Sequence, residues 1–338
     1  MRDPATASLP RAMHAKLAVV MAITAACTVR AVEPDVISVT PTLHPSTATV
    51  EASPIPDTAP PSPTTTLTAV PTPAVLIAAG DVASCHSQGD EATAALIDGL
   101  SGTVAMLGDS AYDRGDPQEF VDCYEPSWGR FKTRTRPAVG NHEYLTAGAG
   151  GYFDYFGSSA GDPAAGYYSY DLGAWHAVVI NSQCWEVGGC GAGDPQALWL
   201  KDDLASRPAL CTLAYWHVPR FSSGIHGSSD LVDAYWDLLY QAGVDVVLTG
   251  HDHDYERFAP QDDQGWADPE RGIREFVVGT GGFTHYPFPG VPIANSEVRD
   301  ASAFGVLMLT LYEDRYEWEF LPVTGATFTD SGTSACHP

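Results

Sequence analysis

Residues 103–112 read TVAMLGDSAY, an apolar run that ends in a Gly-Asp pair followed by a tyrosine. The run is typical of a buried strand, with Asp109 and Tyr112 directly after its carboxyl end. Polar side chains also follow four other apolar runs, in the segments Gly80-Asp81, Gly140-Asn141-His142-Glu143, Trp216-His217 and Gly250-His251-Asp252-His253. Because open α/β sheets bind ligands at the carboxyl ends of their strands, we expect these side chains to meet at one edge.

The five segments offer oxygen and imidazole ligands and contain no cysteine. This chemistry favours a pair of first-row metal ions over a structural zinc. His251 and His253 are two positions apart, so on an extended loop they could serve two different metals. The sequence therefore predicts a site for two metal ions.

The same five segments, in this order, resemble those of the calcineurin-like metallophosphoesterases. Tyr112, three positions after Asp109, makes the chain similar to the purple acid phosphatases within that group. The resemblance implies an α/β fold with two mixed β-sheets in a sandwich flanked by helices, and a dinuclear metal site at the carboxyl-end edge. It also implies an acid phosphatase that hydrolyses phosphate monoesters through a metal-bound hydroxide. The alternatives are a phosphodiesterase or nucleotidase of the same fold and, more remotely, an inactive surface binding protein.

The resemblance also implies which residues hold each metal. Asp109 bridges the two ions, and Tyr112 implies Fe(III) at the first position, beside a divalent Zn, Fe or Mn at the second. A phenol ionises near pH ~10 on its own, so only a strongly acidic cation would ionise it at low pH. The first metal is assigned Asp81, Asp109, Tyr112 and His253, and the second is assigned Asp109, Asn141, His217 and His251.

Two further histidines are candidate catalytic residues. His142 follows Asn141 directly and matches a motif histidine of the family, and a histidine suits proton donation to the leaving oxygen at acidic to neutral pH. His226, nine positions after His217, matches a substrate-facing histidine of the purple acid phosphatases. Plant-type members have a second histidine beside it, where this chain has Gly227, so we expect a different substrate pocket.

The chain is strongly acidic. It has 17 Lys plus Arg against 42 Asp plus Glu, a formal net charge of −25 at pH 7. Nucleic-acid binding through a basic surface is therefore not expected. The same charge repels a phosphate ester, so a phosphatase site here needs metal ions to supply positive charge.

The N-terminal part has the pattern of an exported protein. Residues 1–31 combine a basic start with the apolar run Leu17–Cys27, which is too short to span a bilayer and predicts an export signal. Alternatively, Cys27 ends a segment that resembles a lipoprotein box, and its lipidation would be the one route to membrane anchoring. Residues 32–73 hold ten Pro and ten Thr without an aromatic residue or Gly, which predicts a disordered linker, either a tether or a passive leader.

Residues 74–338 are then the catalytic domain of a secreted or cell-surface protein. Apart from Cys27 the chain has six cysteines, an even number that predicts disulfides in an exported protein. Cys184 and Cys190 flank a turn and are expected to pair, and Cys85–Cys123 with Cys211–Cys336 is one of the remaining arrangements. Hydrophobic patterns predict helices over 90–100, 117–131, 194–204 and 230–242, and strands over 75–79, 103–107, 137–139, 167–171, 175–180, 212–216, 244–249, 273–278, 305–311 and 315–320.

Overall fold

The computed structural model describes residues 72–338. The predicted export signal and all of the predicted linker except Thr72 and Pro73 lie outside the described residues. In chain order the strands are β1 (Ala74–Ala79), β2 (Ala83–Ser84), β3 (Thr103–Leu107), β4 (Ala111–Tyr112), β5 (Thr135–Ala138), β6 (Tyr168–Leu172), β7 (Trp175–Val179), β8 (Cys211–Tyr215), β9 (Val246–Thr249), β10 (Tyr255–Phe258), β11 (Arg274–Val278), β12 (Ser296–Asp300), β13 (Gly305–Leu311), β14 (Arg315–Pro322) and β15 (Ser331–Ala335). The α-helices are α1 (Gly89–Asp98), α2 (Pro117–Glu119), α3 (Gly150–Phe156), α4 (Pro195–Ser206) and α5 (Asp233–Gln241).

Two mixed sheets make up the fold. The first has the strand order β15-β14-β13-β1-β3-β5, in which β1, β3 and β5 are parallel. The second has the order β12-β10-β11-β9-β8-β7-β6, in which β7, β8, β9 and β11 are parallel. Parallel strands end at the same edge, so each sheet brings the loops after its parallel strands together.

The core explains why the two sheets form a sandwich. One apolar cluster joins side chains of both sheets, including Leu107 from β3 and Leu213 from β8. A second cluster lies between the outer face of the second sheet and α4 and α5, with Leu200 and Trp236 fully buried. The predicted fold class, two mixed sheets flanked by helices, is therefore confirmed.

The prediction of one continuous helix over 117–131 is wrong. In the structure, residues 117–131 form only the short α2, a π-helical turn over Phe120–Tyr124 and the start of a 3₁₀ helix over Trp128–Arg134. Pro126 lies between the last two, and because proline has no N–H to donate, it interrupts the helical hydrogen-bond pattern. The start of the helix is as expected, since the Asp116 side chain accepts a hydrogen bond from the Glu119 N–H at 3.0 Å.

Three disulfides join the described cysteines. Cys184–Cys190 closes a short loop with its Cα atoms 5.1 Å apart. Cys85–Cys123 and Cys211–Cys336 have Cα separations of 4.9 and 5.4 Å. All three predicted pairs are thus present, and the last ties the end of the chain to the first residue of β8. Within residues 72–338, no helix combines the length and apolar character needed to cross a membrane.

Candidate dinuclear metal centre

The seven predicted metal ligands come together at the carboxyl-end edge of the two sheets. Three of them, Asp81, Asp109 and His251, adopt left-handed backbone with φ of 61°, 51° and 71°. Such conformations are costly for residues other than glycine and cluster at functional sites. The first sheet supplies the loops after β1, β3 and β5, and the second supplies those after β8 and β9.

Glycines before the ligands leave room for this convergence. A Cβ atom on Gly140 would collide with the carboxylate of Asp109, and one on Gly108 would lie 2.5 Å from the His217 ring. Gly108 also has φ of 91°, which disfavours any other residue. The Gly-Asp and Gly-Asn pairs of the sequence are therefore a requirement of close packing between the loops that carry the ligands.

The phenol of Tyr112 lies at the centre of the first group of donors. Its Oη atom lies 2.8 Å from Asp81 Oδ1, 3.0 Å from Asp109 Oδ2 and 3.2 Å from His253 Nε2. Asp81 Oδ2 also accepts a hydrogen bond from the His251 N–H at 2.8 Å. Both carboxylates are buried, so this group is a compact set of oxygen and nitrogen donors shielded from water.

The second group of donors meets the first at Asp109 Oδ2. His217 Nε2 lies 3.1 Å from Asp109 Oδ2 and 3.3 Å from His251 Nδ1. The other ring nitrogen of His217 lies 2.9 Å from the Leu107 carbonyl oxygen. Donation to that carbonyl places a proton on Nδ1 and directs Nε2 toward the site, a common arrangement for metal-ligating histidines.

Several polar atoms of the site lack a partner in the described protein that bound cations would supply. Asn141 Oδ1 is buried without a hydrogen-bond partner among residues 72–338. No Lys or Arg of the described chain forms an ion pair with Asp81 or Asp109, although both are buried. Buried charges of this kind are normally paired or bound to metal. The donor types, carboxylate, phenol, amide and imidazole, suit first-row metal ions.

The protonation of the site follows from the same arrangement. Burial raises the pKa of Tyr112 well above its ordinary value, and the carboxylates of Asp109 and Asp81 raise it further. Burial lowers the pKa of His217, but Asp109, together with Asp81 and the Leu107 carbonyl, raises it to about 10. Burial and the neighbouring His217 lower the pKa of His251 to about 4. Ionising the phenol therefore requires a strong positive charge beside it.

Glu143 lies beneath the loops that carry the ligands. Its carboxylate accepts hydrogen bonds from the backbone N–H groups of Asp109 at 3.1 Å, Ser110 at 2.6 Å and Gly140 at 2.8 Å. Burial raises its pKa to about 7, with a further contribution from Asp109. Glu143 thus joins the loops after β3 and β5 and fixes the orientation of Asp109.

His142, a predicted catalytic residue, lies at the mouth of this centre. Its Nδ1 is 2.6 Å from the Asp113 carbonyl oxygen, and its Nε2 is 3.9 Å from Asp109 Oδ2. Its backbone N–H donates to Asp109 Oδ1 at 2.9 Å. The ring is therefore held by its Nδ1, with Nε2 directed toward the site.

His226, the other predicted catalytic residue, reaches the site from the second sheet. Its ring packs against His251 with centroids 4.3 Å apart. Asp252 Oδ1 lies 2.9 Å from both the backbone nitrogen and Nδ1 of His226, and Asp252 also accepts a hydrogen bond from the Ser222 hydroxyl. The hydrogen bond to Asp252 raises the pKa of His226. Asp252, between two predicted ligands, thus orients His226.

The chain is similar to known proteins both in the sequence that contains this site and in its fold. The sequence model described as Calcineurin-like phosphoesterase matches residues 71–255, more than half of the chain. The chain belongs to this family. It is 30% identical over 158 residues to purple acid phosphatase 15 of Arabidopsis thaliana, covering 40% of this chain and 29% of that protein. It is 31% identical over 158 residues to purple acid phosphatase 23 of the same plant, covering 40% and 34%.

This calcineurin-like phosphoesterase spans about a third of the length of those two relatives. Its structure is similar to that of a purple acid phosphatase from yellow lupin (Lupinus luteus) seeds, with a TM-score of 0.61 at 19% identity. The similarity covers 79% of this chain and 54% of the lupin chain. The predicted family resemblance is confirmed.

Two aromatic residues at the candidate metal centre were not predicted. The ring of Phe283 stacks on Tyr112 with centroids 3.8 Å apart, and the ring of Tyr286 stacks on His253 at 4.1 Å. Burial raises the pKa of the Tyr286 phenol, and the carboxylates of Asp81 and Asp109 raise it further, because the ring lies in the electrostatic field of the site. Both follow the pair Gly281-Gly282, which comes after β11, and that position at a strand end was the one available signal.

The loop that carries His226 is supported by buried acids of the second sheet. Glu275 accepts hydrogen bonds from the backbone N–H groups of Arg220 and Phe221, each at 3.0 Å. Glu256 accepts one from the Ser223 N–H at 2.7 Å. The segment Tyr255-Glu256-Arg257 therefore contributes to the support of this loop through Glu256.

Proposed function

We propose that this chain is an exported acid phosphatase that uses two metal ions to hydrolyse phosphate monoesters. The observation that carries the proposal is the position of Asp109 Oδ2, 3.0 Å from Tyr112 Oη and 3.1 Å from His217 Nε2. One carboxylate thus lies between two sets of donors, as required for a group that bridges two cations. The names of the relatives support phosphatase activity.

The donor sets suggest which residues would hold each cation. We assign Fe(III) to the Tyr112 side because that phenol ionises only beside a strongly acidic cation. A divalent Zn, Fe or Mn ion is assigned to the other side. When bound, the two cations would supply Lewis acidity that activates water and offsets the charge of the phosphate. The Fe(III) side comprises Asp81, Asp109, Tyr112 and His253, and the divalent side comprises Asp109, Asn141, His217 and His251.

His142 and His226 would perform the proton transfer and substrate binding. Because His142 Nδ1 is engaged by the Asp113 carbonyl, Nε2 is the atom available to protonate the departing alkoxide. His226 is held by Asp252 through Nδ1, so its Nε2 is free to contact a phosphate oxygen. The two rings approach the centre from different sheets and can act on opposite sides of one ester.

Three disulfides in the described domain support an oxidising, extracellular location. Membrane attachment would depend on lipidation of Cys27, which lies outside the described residues. The acidic surface gives no reason to expect a nucleic-acid partner.

The proposal is tested by comparing hydrolysis of p-nitrophenyl phosphate with that of its bis-ester, using protein of measured metal content. We expect the monoester to be hydrolysed faster, with activity lost on chelation and regained on adding metal. Preference for the bis-ester would favour the phosphodiesterase alternative. Full metal occupancy with no turnover of either ester would contradict the enzymatic function.

A further inference from the structure

The loop after β11 covers one side of the proposed metal centre, and the argument that follows rests on the proposed function. Phe283 and Tyr286 each lie parallel, or nearly so, to a proposed ligand of the first metal, with interplanar angles of 9° to Tyr112 and 14° to His253. The Tyr286 backbone N–H donates to the His253 carbonyl at 3.1 Å, which fixes the loop on the ligand it covers. The position of the Tyr286 ring is therefore set by both its backbone and its stacking.

The hydroxyl of Tyr286 has no role in holding the fold. Within residues 72–338 it forms no hydrogen bond, whereas the hydroxyls of Tyr112, Tyr152 and Tyr215 all do. The residue is only partly buried, so its hydroxyl remains accessible to a ligand. A phenol hydroxyl can donate a hydrogen bond to a phosphate oxygen.

Tyr286 also lies beside His226, where the neighbouring Gly227 offers no side-chain donor. The centroids of the Tyr286 and His226 rings are 5.6 Å apart, in an edge-to-face arrangement. Gly227 has φ of 73°, so a side chain at that position would be strained. A phosphate bound at the centre would therefore meet His226 and the Tyr286 phenol on the same side.

We propose that Tyr286 Oη donates a hydrogen bond to a phosphate oxygen of the bound ester, next to His226. Tyr286 is then a substrate-binding residue supplied by the loop after β11. It compensates for the side-chain donor that Gly227 does not provide. The stacked ring holds the hydroxyl in place, so little side-chain freedom is lost when phosphate binds.

The test compares Tyr286→Phe with Tyr312→Phe in metal-loaded protein. Tyr286→Phe keeps the ring on His253 and removes only the hydroxyl. Tyr312 follows β13 at the opposite end of the domain, where its hydroxyl lies 3.2 Å from Glu317. Binding of inorganic phosphate is measured by calorimetry, and KM and kcat are measured with p-nitrophenyl phosphate.

We expect Tyr286→Phe to weaken phosphate binding roughly 10- to 100-fold, the range for a hydrogen bond to a charged group. KM should rise by a similar factor, while metal content and the visible spectrum stay those of the wild type. Tyr312→Phe should bind phosphate as the wild type does. A third variant, Tyr286→Leu, removes the stacking as well and should weaken binding at least as much.

Unchanged phosphate affinity in Tyr286→Phe would overturn the proposal. So would a loss confined to aromatic esters, because the ring would then contact the leaving group and the hydroxyl would not contact the phosphate. Loss of metal in Tyr286→Phe would also overturn it, since the hydroxyl would then act through His253. Phosphate binding is measured without turnover, so a wild type that binds phosphate but hydrolyses no ester would contradict only the enzymatic function.

Discussion

Two clusters of buried histidines and carboxylates lie at opposite ends of the parallel strands, and they differ in what neutralises them. At the carboxyl end, Asp109 and Asp81 have histidines and a phenol around them but no Lys or Arg of the described chain. At the amino end, His176 Nε2 lies 2.7 Å from Asp203 Oδ2. There the Asp203 carboxylate also accepts from the Ser169 hydroxyl at 2.8 Å.

The amino-end cluster has its own cation. Arg207 Nε lies 3.5 Å from Asp203 Oδ1, and Asp171 faces the other nitrogen of His176 at 3.5 Å. The buried Asp203 carboxylate is therefore paired by side chains alone, and the cluster joins β6 and β7 to α4. The carboxyl-end cluster has no such guanidinium partner among the described residues, as expected of a site for external cations. The same residue types are thus structural at one end and, as we propose, functional at the other.

Of the substitutions that test this difference between the two clusters, Asp109→Asn should have the largest effect on activity and metal content. The amide cannot bridge two cations as a carboxylate does, so we expect loss of both activity and metal. The loss should exceed the roughly 10- to 100-fold cost typical of groups that only support a ligand. Metal analysis and turnover of p-nitrophenyl phosphate measure it.

Asp203→Asn is the matched control for that substitution. It removes a buried carboxylate from the amino-end cluster and should lower thermal stability without changing metal content. Full metal loading and normal turnover in Asp109→Asn would remove the bridging assignment. Loss of metal in Asp203→Asn would remove the distinction between the two clusters.

His142→Ala should lower turnover most on esters with poor leaving groups. A general acid typically contributes ~100- to 10,000-fold, and a basic alkoxide needs its proton more than a nitrophenolate does. We therefore expect a smaller loss on p-nitrophenyl phosphate than on an alkyl phosphate, with both metals retained. Equal losses on the two esters would point to phosphate binding, and a lost metal would show that His142 acts on a ligand.

Asp252→Asn should have a moderate effect, because it leaves the metals in place and disturbs His226. The hydrogen bonds to the His226 ring and to the Ser222 hydroxyl would be weakened, and we expect a loss in kcat/KM of roughly tenfold. Combining it with His226→Ala should cost little more than the larger single effect. Additive losses would mean that the two residues act independently.

His176→Gln should have the smallest effect on function. It interrupts the paired cluster at the amino end and should lower the free energy of unfolding by about 1–3 kcal/mol. Chemical denaturation measures this change. Metal content and kcat should match the wild type, and a fall in either would show that the amino-end cluster influences the site.

Much of the fold could be predicted because buried strands leave continuous apolar runs. The strands β3 and β13 have the predicted bounds, Thr103–Leu107 and Gly305–Leu311. The strands β12 and β15 were not predicted, since they have no buried side chain, few apolar residues and a position at the edge of a sheet. The helix α3 was also missed, because Gly150 and Gly151 at its start indicate a loop.

The candidate site could be predicted where its residues belong to local motifs. Seven ligand candidates follow strand ends in short patterns, and the fold brings them together. The roles of Asp252 and Glu143 depend on hydrogen-bond partners elsewhere in the chain, which a local motif does not reveal. Phe283 and Tyr286 belong to no motif, and only tertiary packing places them on Tyr112 and His253.

The most direct test of the central claim is the metal content of the purified chain, measured together with its visible spectrum. We predict two metal ions per chain, one of them iron, and a visible band that disappears in Tyr112→Phe while the fold is retained. The band requires a phenolate bound to Fe(III), so it reports the proposed contact itself. A wild-type chain with two zinc ions and no visible band would contradict the iron assignment, and a chain that binds no metal would contradict the account as a whole.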